Sequence, residues 1–308
     1  MSRHVTAGTT CLNAAEGPLR IGFIGAGRLG TTLGLAFHRA GLQVTAVASA
    51  SPASARRMAL RLPGCEAVDA QAVADRVDLV FITTPDTAIA PTAQGLRWRP
   101  GTGVVHCSGA TDVDAALSAA RNEGACVGGF HPLQTFADPE AAARSLSGCT
   151  ITVEAREPAL DGCLVALATR LGCAVNRLPP GMRARYHAAA GYGSQFINVL
   201  LAEAARLWTT WGASEADAVR ALLPLARGTL AAIEALGVAH GMPGPVSRGD
   251  LKTVQQHVTS FDEGDSQGLQ AYRLLCARTV PLALQRGAID ATMAASIQET
   301  LTTGRLKP

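Results

Sequence analysis

No Cys-x-x-Cys pair and no Cys/His cluster at zinc-binding spacing occurs in this sequence, although eight of its 308 residues are cysteine. That excludes the common structural zinc sites and a dithiol redox motif, and it points to reduced, mostly buried thiols. Aromatic residues are scarce, 4% against 48% hydrophobic overall. A sizeable core must then be built from small aliphatic side chains, which suits closely packed helices. A formal net charge of +3 is too small to argue for nucleic acid. No apolar run reads as long enough to span a membrane. Residues 1–18 are small and polar and lack the apolar stretch of a signal peptide, so a loose N-terminal extension of a cytoplasmic protein is expected.

Against these absences stands one dense motif, Ile21-Gly22-Phe23-Ile24-Gly25-Ala26-Gly27-Arg28-Leu29-Gly30. Gly25, Gly27 and Gly30 fill the three glycine positions of a dinucleotide-binding fingerprint. The first permits a sharp turn, the second lets backbone approach a pyrophosphate, and the third lets the helix pack close to the strand. The context fits. Arg20–Ile24 reads as a buried strand, Leu29–Ala40 as a helix ending at Gly41, and Val44–Ala48 as a second strand. The helix start at Arg28, Leu29 and Gly30 offers free N–H groups to phosphate.

A second absence bears on the cofactor. No acidic residue lies between Gly41 and Cys65, where an NAD enzyme places a carboxylate for the adenosine ribose. Ser49, Ser51 and Arg56, with Arg57 beside it, occupy the region. Hydroxyls and guanidinium groups suit a 2′-phosphate, so NADP is favoured over NAD. A solvated helix face is the alternative use of the two arginines.

Further on, Leu79–Thr83, Gly103–Cys107, Ala125–Phe130, Thr150–Glu154 and Ala174–Leu178 read as strands, with a helix near Ala159–Leu171. The alternation predicts an α/β fold of Rossmann type, a doubly wound, mostly parallel sheet. Thr84-Pro85-Asp86 follows one strand and should border the cofactor, although Asp86 also suits a helix N-cap. Beyond Pro179-Pro180-Gly181 no strand is evident. Arg185–Thr210, Ser214–Gly237, Asp250–Ser260, Asp265–Arg286 and Asp290–Thr303 read as helices. The expected organisation is a dinucleotide-binding domain over 19–179 and an all-helical domain over 180–308 for substrate and dimerisation.

Three groups of residues could carry chemistry. Ser108 and His131 each follow a strand on the same sheet edge as the glycine loop, and a histidine there can pass a proton near neutral pH. His187, Gly191, Ser194 and Asn198 fall at helical spacing on one face, which suits either a cleft or a buried helix–helix seam. Arg248 stands beside Asp250, a plausible N-cap, with Thr253 and His257 following on one face. Arg248 there suits a carboxylate or phosphate, or is an exposed turn residue.

Together, Gly25 to Gly30, His106-Cys107-Ser108-Gly109-Ala110, Phe130-His131-Pro132-Leu133-Gln134-Thr135-Phe136, Tyr186-His187-Ala188-Ala189-Ala190, and Gly244-Pro245 with Arg248-Gly249-Asp250, Thr253 and His257 resemble the Rossmann-like and DUF2520 domain-containing proteins. The resemblance covers about residues 19–300. It implies kinship with ketopantoate reductases, pyrroline-5-carboxylate reductases and prephenate dehydrogenases, and a Rossmann domain followed by a helical domain that often dimerises. Prephenate dehydrogenases are similar in placing a serine after one strand and a catalytic His-Pro after the next, which here match Ser108 and His131. The chain departs from its relatives at Ser194-Gln195, where Ser-Asn is common. It also lacks the Lys-x-x-x-Asn pair of β-hydroxyacid dehydrogenases, for which His187 is the nearest polar replacement.

The expectation is an NADP-dependent oxidoreductase acting on a small, anionic 2-oxo or imino carboxylate, with a ketopantoate-like substrate admitted. His131 or His187 would supply the proton, Ser108 would orient the reacting group, and Arg248 would hold the carboxylate, with Ser194, Asn198 and Thr253 as further substrate contacts. Neither metal nor nucleic acid is expected, and a homodimer is. A cofactor-binding regulator without turnover is the competing expectation.

Overall fold

The computed structural model describes residue 12 and residues 18–179, 181–261 and 265–303. Apart from Leu12 and Pro18, the expected N-terminal extension lies outside these described residues. The chain divides into two compact units, 1–194 and 195–308. The expected boundary after residue 179 falls one helix earlier.

In the first unit, strands β1 (Arg20–Ile24), β2 (Gln43–Ala48), β3 (Glu66–Ala67), β4 (Leu79–Ile82), β5 (Gly103–His106), β6 (Cys126–Pro132), β7 (Thr150–Ala155) and β8 (Ala174–Arg177) form one sheet in the order 3-2-1-4-5-6-7-8. The order reverses between β1 and β4, the place at which doubly wound sheets bind ligands beyond the carboxyl ends of their strands. Strands β1 to β6 pair in parallel, β6 pairs with β7 antiparallel, and β7 with β8 in parallel. The two-residue β3 escapes sequence reading because it has no apolar run.

The helices of this unit are α1 (Arg28–Arg39), α2 (Pro52–Ala59), α3 (Ala70–Arg76), α4 (Asp86–Gln94), α5 (Val113–Ala116), α6 (Ser118–Asn122), α7 (Pro139–Arg144), α8 (Pro158–Arg170) and α9 (Arg183–Tyr192). Helix α7 packs on α1, where Arg39 donates to Glu140, and β7 then returns antiparallel to β6. Successive strand residues point to opposite faces. Ile21, Phe23, Leu79 and Phe81 enter one apolar layer, and Ile24, Val80 and Ile82 the other. Both faces are covered, which is why these strands read as continuous apolar runs. The few aromatics are concentrated: Phe23, Phe37, Phe81 and Phe130 pack with ring centroids 5.3 to 6.2 Å apart.

The described part of the second unit is helical: α10 (Gln195–Thr209), α11 (Glu215–His240), α12 (Leu251–Thr259), α13 (Ser266–Gln285) and α14 (Ala291–Thr303), with a 3-10 turn at Val246–Arg248. Two expectations are corrected. The single helix expected over 185–210 is broken into α9 and α10, because Gly193 and Ser194 end the first turn-stack. In addition, α11 is long and apolar enough to cross a membrane by length and composition, although Pro224 lies within it and Gly237 interrupts it at φ 78°. Cysteine is corrected as well. Cys65, Cys107, Cys149, Cys163, Cys173 and Cys276 are free thiols, but only Cys107 and Cys173 are buried, and Cys126 is disulfide-bonded.

Candidate active site

The glycine loop divides its labour as the spacing predicts. Gly25 sits at φ +118°, and a Cβ there would lie 2.6 Å from the Thr83 carbonyl. A Cβ on Gly30 would lie 2.3 Å from the Gly25 oxygen, so α1 packs directly on the turn. Gly27 instead faces open space, with no heavy atom within 4 Å of an added Cβ. Gly27 caps α1 without any side-chain bond, and no acidic residue lies in the first turn. The N–H groups of Arg28, Leu29 and Gly30 are thus presented to an open cradle, the arrangement a pyrophosphate requires. The floor is locked from β4: Thr83 Oγ1 donates to Gly25 O at 2.7 Å, and Thr83 N–H donates to Ile24 O at 2.9 Å. Next to it Thr84 Oγ1 is buried without a partner. Pro85, not Asp86, takes the N-cap position of α4, and Asp86 is its first helical residue.

On the adenosine side, a cavity of about 540 Å³ is lined by Gly27, Arg28, Thr31, Ser54, Arg57 and Arg61, among others. Sequence reading favoured Ser49, Ser51 and Arg56. Ser51 N-caps α2 by accepting from Ser54 N–H, and Ser49 Oγ accepts from Ser51 N–H, both at 3.3 Å. Arg57 lines the cavity and donates to Ser54 Oγ at 2.8 Å, whereas Arg56 is exposed and does not line it. One position on a helix turns a side chain by about 100°, which a cluster of two arginines does not resolve by sequence.

The second concentration of polar groups surrounds His131. A cavity of about 550 Å³ is lined by His131, Gln134, Thr135, Tyr186, His187 and Ser194, together with small apolar residues. His131 Nδ1 lies 2.7 Å from Tyr186 Oη, and its ring centroid is 6.5 Å from that of His187. Gly109 makes this approach possible, since a Cβ there would fall 2.7 Å from His187 Cδ2 and 2.8 Å from His131 Nε2. Burial, assisted by His187 and then Arg183, pushes the His131 imidazole down to about 4. The ring is therefore neutral near neutral pH.

Ser108 is buried behind this wall. Its hydroxyl donates to Asp86 Oδ2 at 2.8 Å and accepts from Thr111 N–H at 3.0 Å. It ties the start of α4 to the loop after β5. Arg183, 7% exposed, donates to Ser108 O at 2.7 Å and pairs with Glu154, while its Nε is buried without a partner. His106 accepts from Ser108 N–H at 3.2 Å through Nδ1, and its Nε2 is buried without a partner. Burial pushes His106 down to about 3. Sequence reading missed Arg183, Glu154 and Gly109 as members of this centre. Nothing in the pattern marks a buried arginine whose partners come from β7 and from the loop after β5.

Two family patterns match the chain in succession, a Rossmann-like domain at residues 6–132 and the domain of unknown function DUF2520 at 149–279. The chain belongs to the Rossmann-like and DUF2520 domain-containing family. No curated protein matches it. Among solved structures it is similar to a Bacteroides fragilis protein provisionally described as an NADP oxidoreductase, at 25% identity and TM-score 0.69, covering 86% of this chain and 98% of that one. It is similar to a Thermotoga maritima protein at 21% identity and TM-score 0.71, covering 87% and 99%. A 1-pyrroline-5-carboxylate reductase from Streptococcus pyogenes shares the fold at 13% identity and TM-score 0.57, covering 93% and 98%.

In this family member the remaining expected site residues do not form one stripe. His187 and Ser194 line the His131 cavity, with Ser194 Oγ donating back to Ala190 O at 2.8 Å. Asn198 is exposed on α10, beyond the helix break. Arg248 is exposed on the 3-10 turn and lines a separate cavity of about 330 Å³ with Gly249, Asp290 and Ser296. Thr253 is consumed by capping: its hydroxyl donates to Asp250 Oδ2 at 2.7 Å and its N–H to Oδ1 at 3.0 Å. These bonds hold the Asp250 carboxyl below the usual range. His257 Nδ1 lies 2.7 Å from Tyr272 Oη within the helical unit.

Proposed function

We propose that this protein is an NADP-dependent oxidoreductase that transfers a hydride between the nicotinamide and a small 2-oxo or imino carboxylate. One juxtaposition carries the reading. The open glycine cradle follows the carboxyl end of β1, and His131 stands at the carboxyl end of β6, on the same edge of one sheet. The Bacteroides neighbour's description agrees with it.

A bound nicotinamide supplies or accepts the hydride, and the chain does the rest. Gly25, Gly27, Gly30 and the start of α1 hold the pyrophosphate, while Arg57 and Arg28 favour a 2′-phosphate over a bare ribose. His131, neutral near pH 7, hydrogen-bonds the substrate oxygen or nitrogen and polarises the double bond. His187, exposed on the same wall, passes the proton to or from solvent. Ser108 acts through Asp86 and the 108–111 loop rather than on substrate. No lysine or arginine lines the His131 cavity among the described residues. Arg248 has the chemistry to hold a carboxylate, and Arg248→Ala should raise KM for an oxo acid about tenfold or more. Exposed Val199, Leu200, Leu225, Leu230 and Leu236 in the helical unit support the homodimer within the proposal, with light scattering as its test.

The test is oxidation of NADPH with a panel of 2-oxo acids, ketopantoate-like acids and cyclic imines. Turnover that collapses in His131→Gln supports the reading. Tight NADPH binding with no turnover on any member of the panel favours the regulatory alternative.

A further inference from the structure

His106, Gly129 and Glu154 stand in one row across three strands. His106 on β5 pairs with Gly129 on β6, and Gly129 pairs with Glu154 on β7. Directly paired residues project to the same face of a sheet, so the middle place of the row has no side chain. The Arg183 guanidinium fills it: a Cβ on Gly129 would lie 2.8 Å from Nη2 and 3.8 Å from Cζ. Seated there, Arg183 donates to Glu154 through Nη2 and to Ser108 O through Nη1, the latter at 2.7 Å. Strand side chains alternate, so His131, two residues beyond Gly129, shares that face of the sheet. On α9, Tyr186 and His187 follow Arg183 at i+3 and i+4 and share its helix face. Tyr186 Oη lies 2.7 Å from His131 Nδ1, and the two rings meet edge-on with centroids 5.5 Å apart.

We propose that Arg183 is the positioning residue of the His131 centre, its guanidinium set into the slot over Gly129 so that α9 holds Tyr186 and His187 against His131. Arg183 does not line the His131 cavity, so it acts through the residues it holds and not on a substrate. Arginine suits the place because its planar fork presents two nitrogens in fixed directions, here to a carboxylate on β7 and to a carbonyl in the loop after β5. A lysine ammonium donates from one nitrogen and cannot occupy both positions. The pieces tied by the fork are the pieces that make the cavity wall. The Ser108 carbonyl leads into Gly109, which lies against both His131 and His187, β6 carries His131, and α9 carries Tyr186 and His187. The fixed charge has a second effect. After burial and His187, it helps to hold the His131 ring below the ordinary histidine range, against the opposing pull of Asp86. Glu154 is 35% exposed, so losing the arginine leaves no buried, unpaired carboxylate. The kinetic consequence rests on the oxidoreductase reading; the contact that Arg183 maintains does not.

The experiment is 15N NMR of the full chain labelled in its histidine rings, recorded near neutral pH without cofactor, with His131 assigned by the signals lost in His131→Gln. Tyr186→Phe removes the hydroxyl and supplies the Nδ1 shift of a lost contact. Arg183→Met and Gly129→Ala remove no group bonded to His131, yet each should move Nδ1 toward that shift. Each should also lower kcat about tenfold or more while NADPH binding stays within about twofold. Gly129→Ala added to Arg183→Met should change nothing further, because the slot is then empty. A clash of the new methyl with Val113 Cγ2, 3.1 Å from that Cβ, would instead persist in the double variant. Arg183→Lys keeps the charge and loses the fork, so it should follow Arg183→Met in both readouts. Each variant is scored with its fold confirmed by an unchanged methyl spectrum away from α9, and if Arg183→Met does not fold, Gly129→Ala and Arg183→Lys carry the test. An unmoved Nδ1 in Arg183→Met, additive losses in the double variant, or full activity in Arg183→Lys overturns the proposal. If the spectra shift as expected while no substrate is turned over, Arg183 keeps its role and the oxidoreductase reading fails. If turnover proceeds and Nδ1 is unmoved in Arg183→Met, the positioning role fails and the oxidoreductase reading stands.

Discussion

The glycine cradle and the His131 centre serve one sheet edge but are built in opposite ways. The cradle is backbone. Its specificity lies in side chains that are missing from Gly25, Gly27 and Gly30, and the contact that matters most is Gly30 against the Gly25 carbonyl. The His131 centre is side chain. It gathers Asp86, Ser108, Thr152, Arg183 and Tyr186 around one imidazole, from four separate stretches of chain. A site made of backbone over six consecutive residues fails when volume is added. A site made of side chains fails when a proton or a hydrogen bond is removed.

That contrast can be broken at the cradle first. Gly30→Ala forces a methyl against backbone that cannot move, and should cost about 3 kcal/mol or more of stability, read as a lowered urea midpoint. Gly27→Ala adds the same methyl into open space. It should leave the urea midpoint unchanged yet abolish measurable NADPH binding. If Gly27→Ala binds NADPH normally, the cradle is a structural turn.

At the second region, His131→Gln should lower kcat by about 10² or more, while NADPH binding stays within about twofold. A parallel loss of cofactor affinity would mean that the two regions are not separable as argued. A smaller effect is expected on the adenosine side. Arg57→Ala should weaken NADPH about tenfold and leave NADH unchanged, and Arg56→Ala should do neither.

A further effect is expected on pH dependence. His131 and His106 are pushed down to about 4 and about 3 from an ordinary 6.5. A histidine with a lowered folded pKa takes up its proton more readily when unfolded. Stability is therefore full above about 6.5 and falls as pH drops toward the folded values, by about 1.4 kcal/mol per unit of depression at most. Urea midpoints measured across that window should decline, and His106→Gln and His131→Gln should each flatten the slope. A midpoint insensitive to acid over this range would contradict the burial of both rings.

What was legible follows the same division. The glycine loop and the longer strands are contiguous patterns and appear within about two residues of where the sequence puts them, whereas the two-residue β3 and the break between α9 and α10 do not. Ser108 follows β5 as expected, whereas His131, expected after a strand ending at Phe130, lies within β6, paired with Thr152 of β7. Their roles were less legible, because Ser108's hydroxyl is spent on Asp86 and two backbone N–H groups. The stripe from His187 to Asn198 was misread because Gly193 and Ser194, two small residues inside an apparent helix, end it there. The choice between Arg56 and Arg57 needed the direction of one helix. Arg183 needed the partners supplied by β7 and by the loop after β5.

The central claim is that this sheet edge moves hydride, and isotope transfer tests it most directly. NADPH deuterated at the reactive ring position is mixed with the protein and the oxo-acid and imine panel, and products are read by mass. The account predicts deuterium in the carbon beside the carboxylate of at least one product, and its loss with His131→Gln. Tight NADPH binding with no deuterium in any product would contradict it.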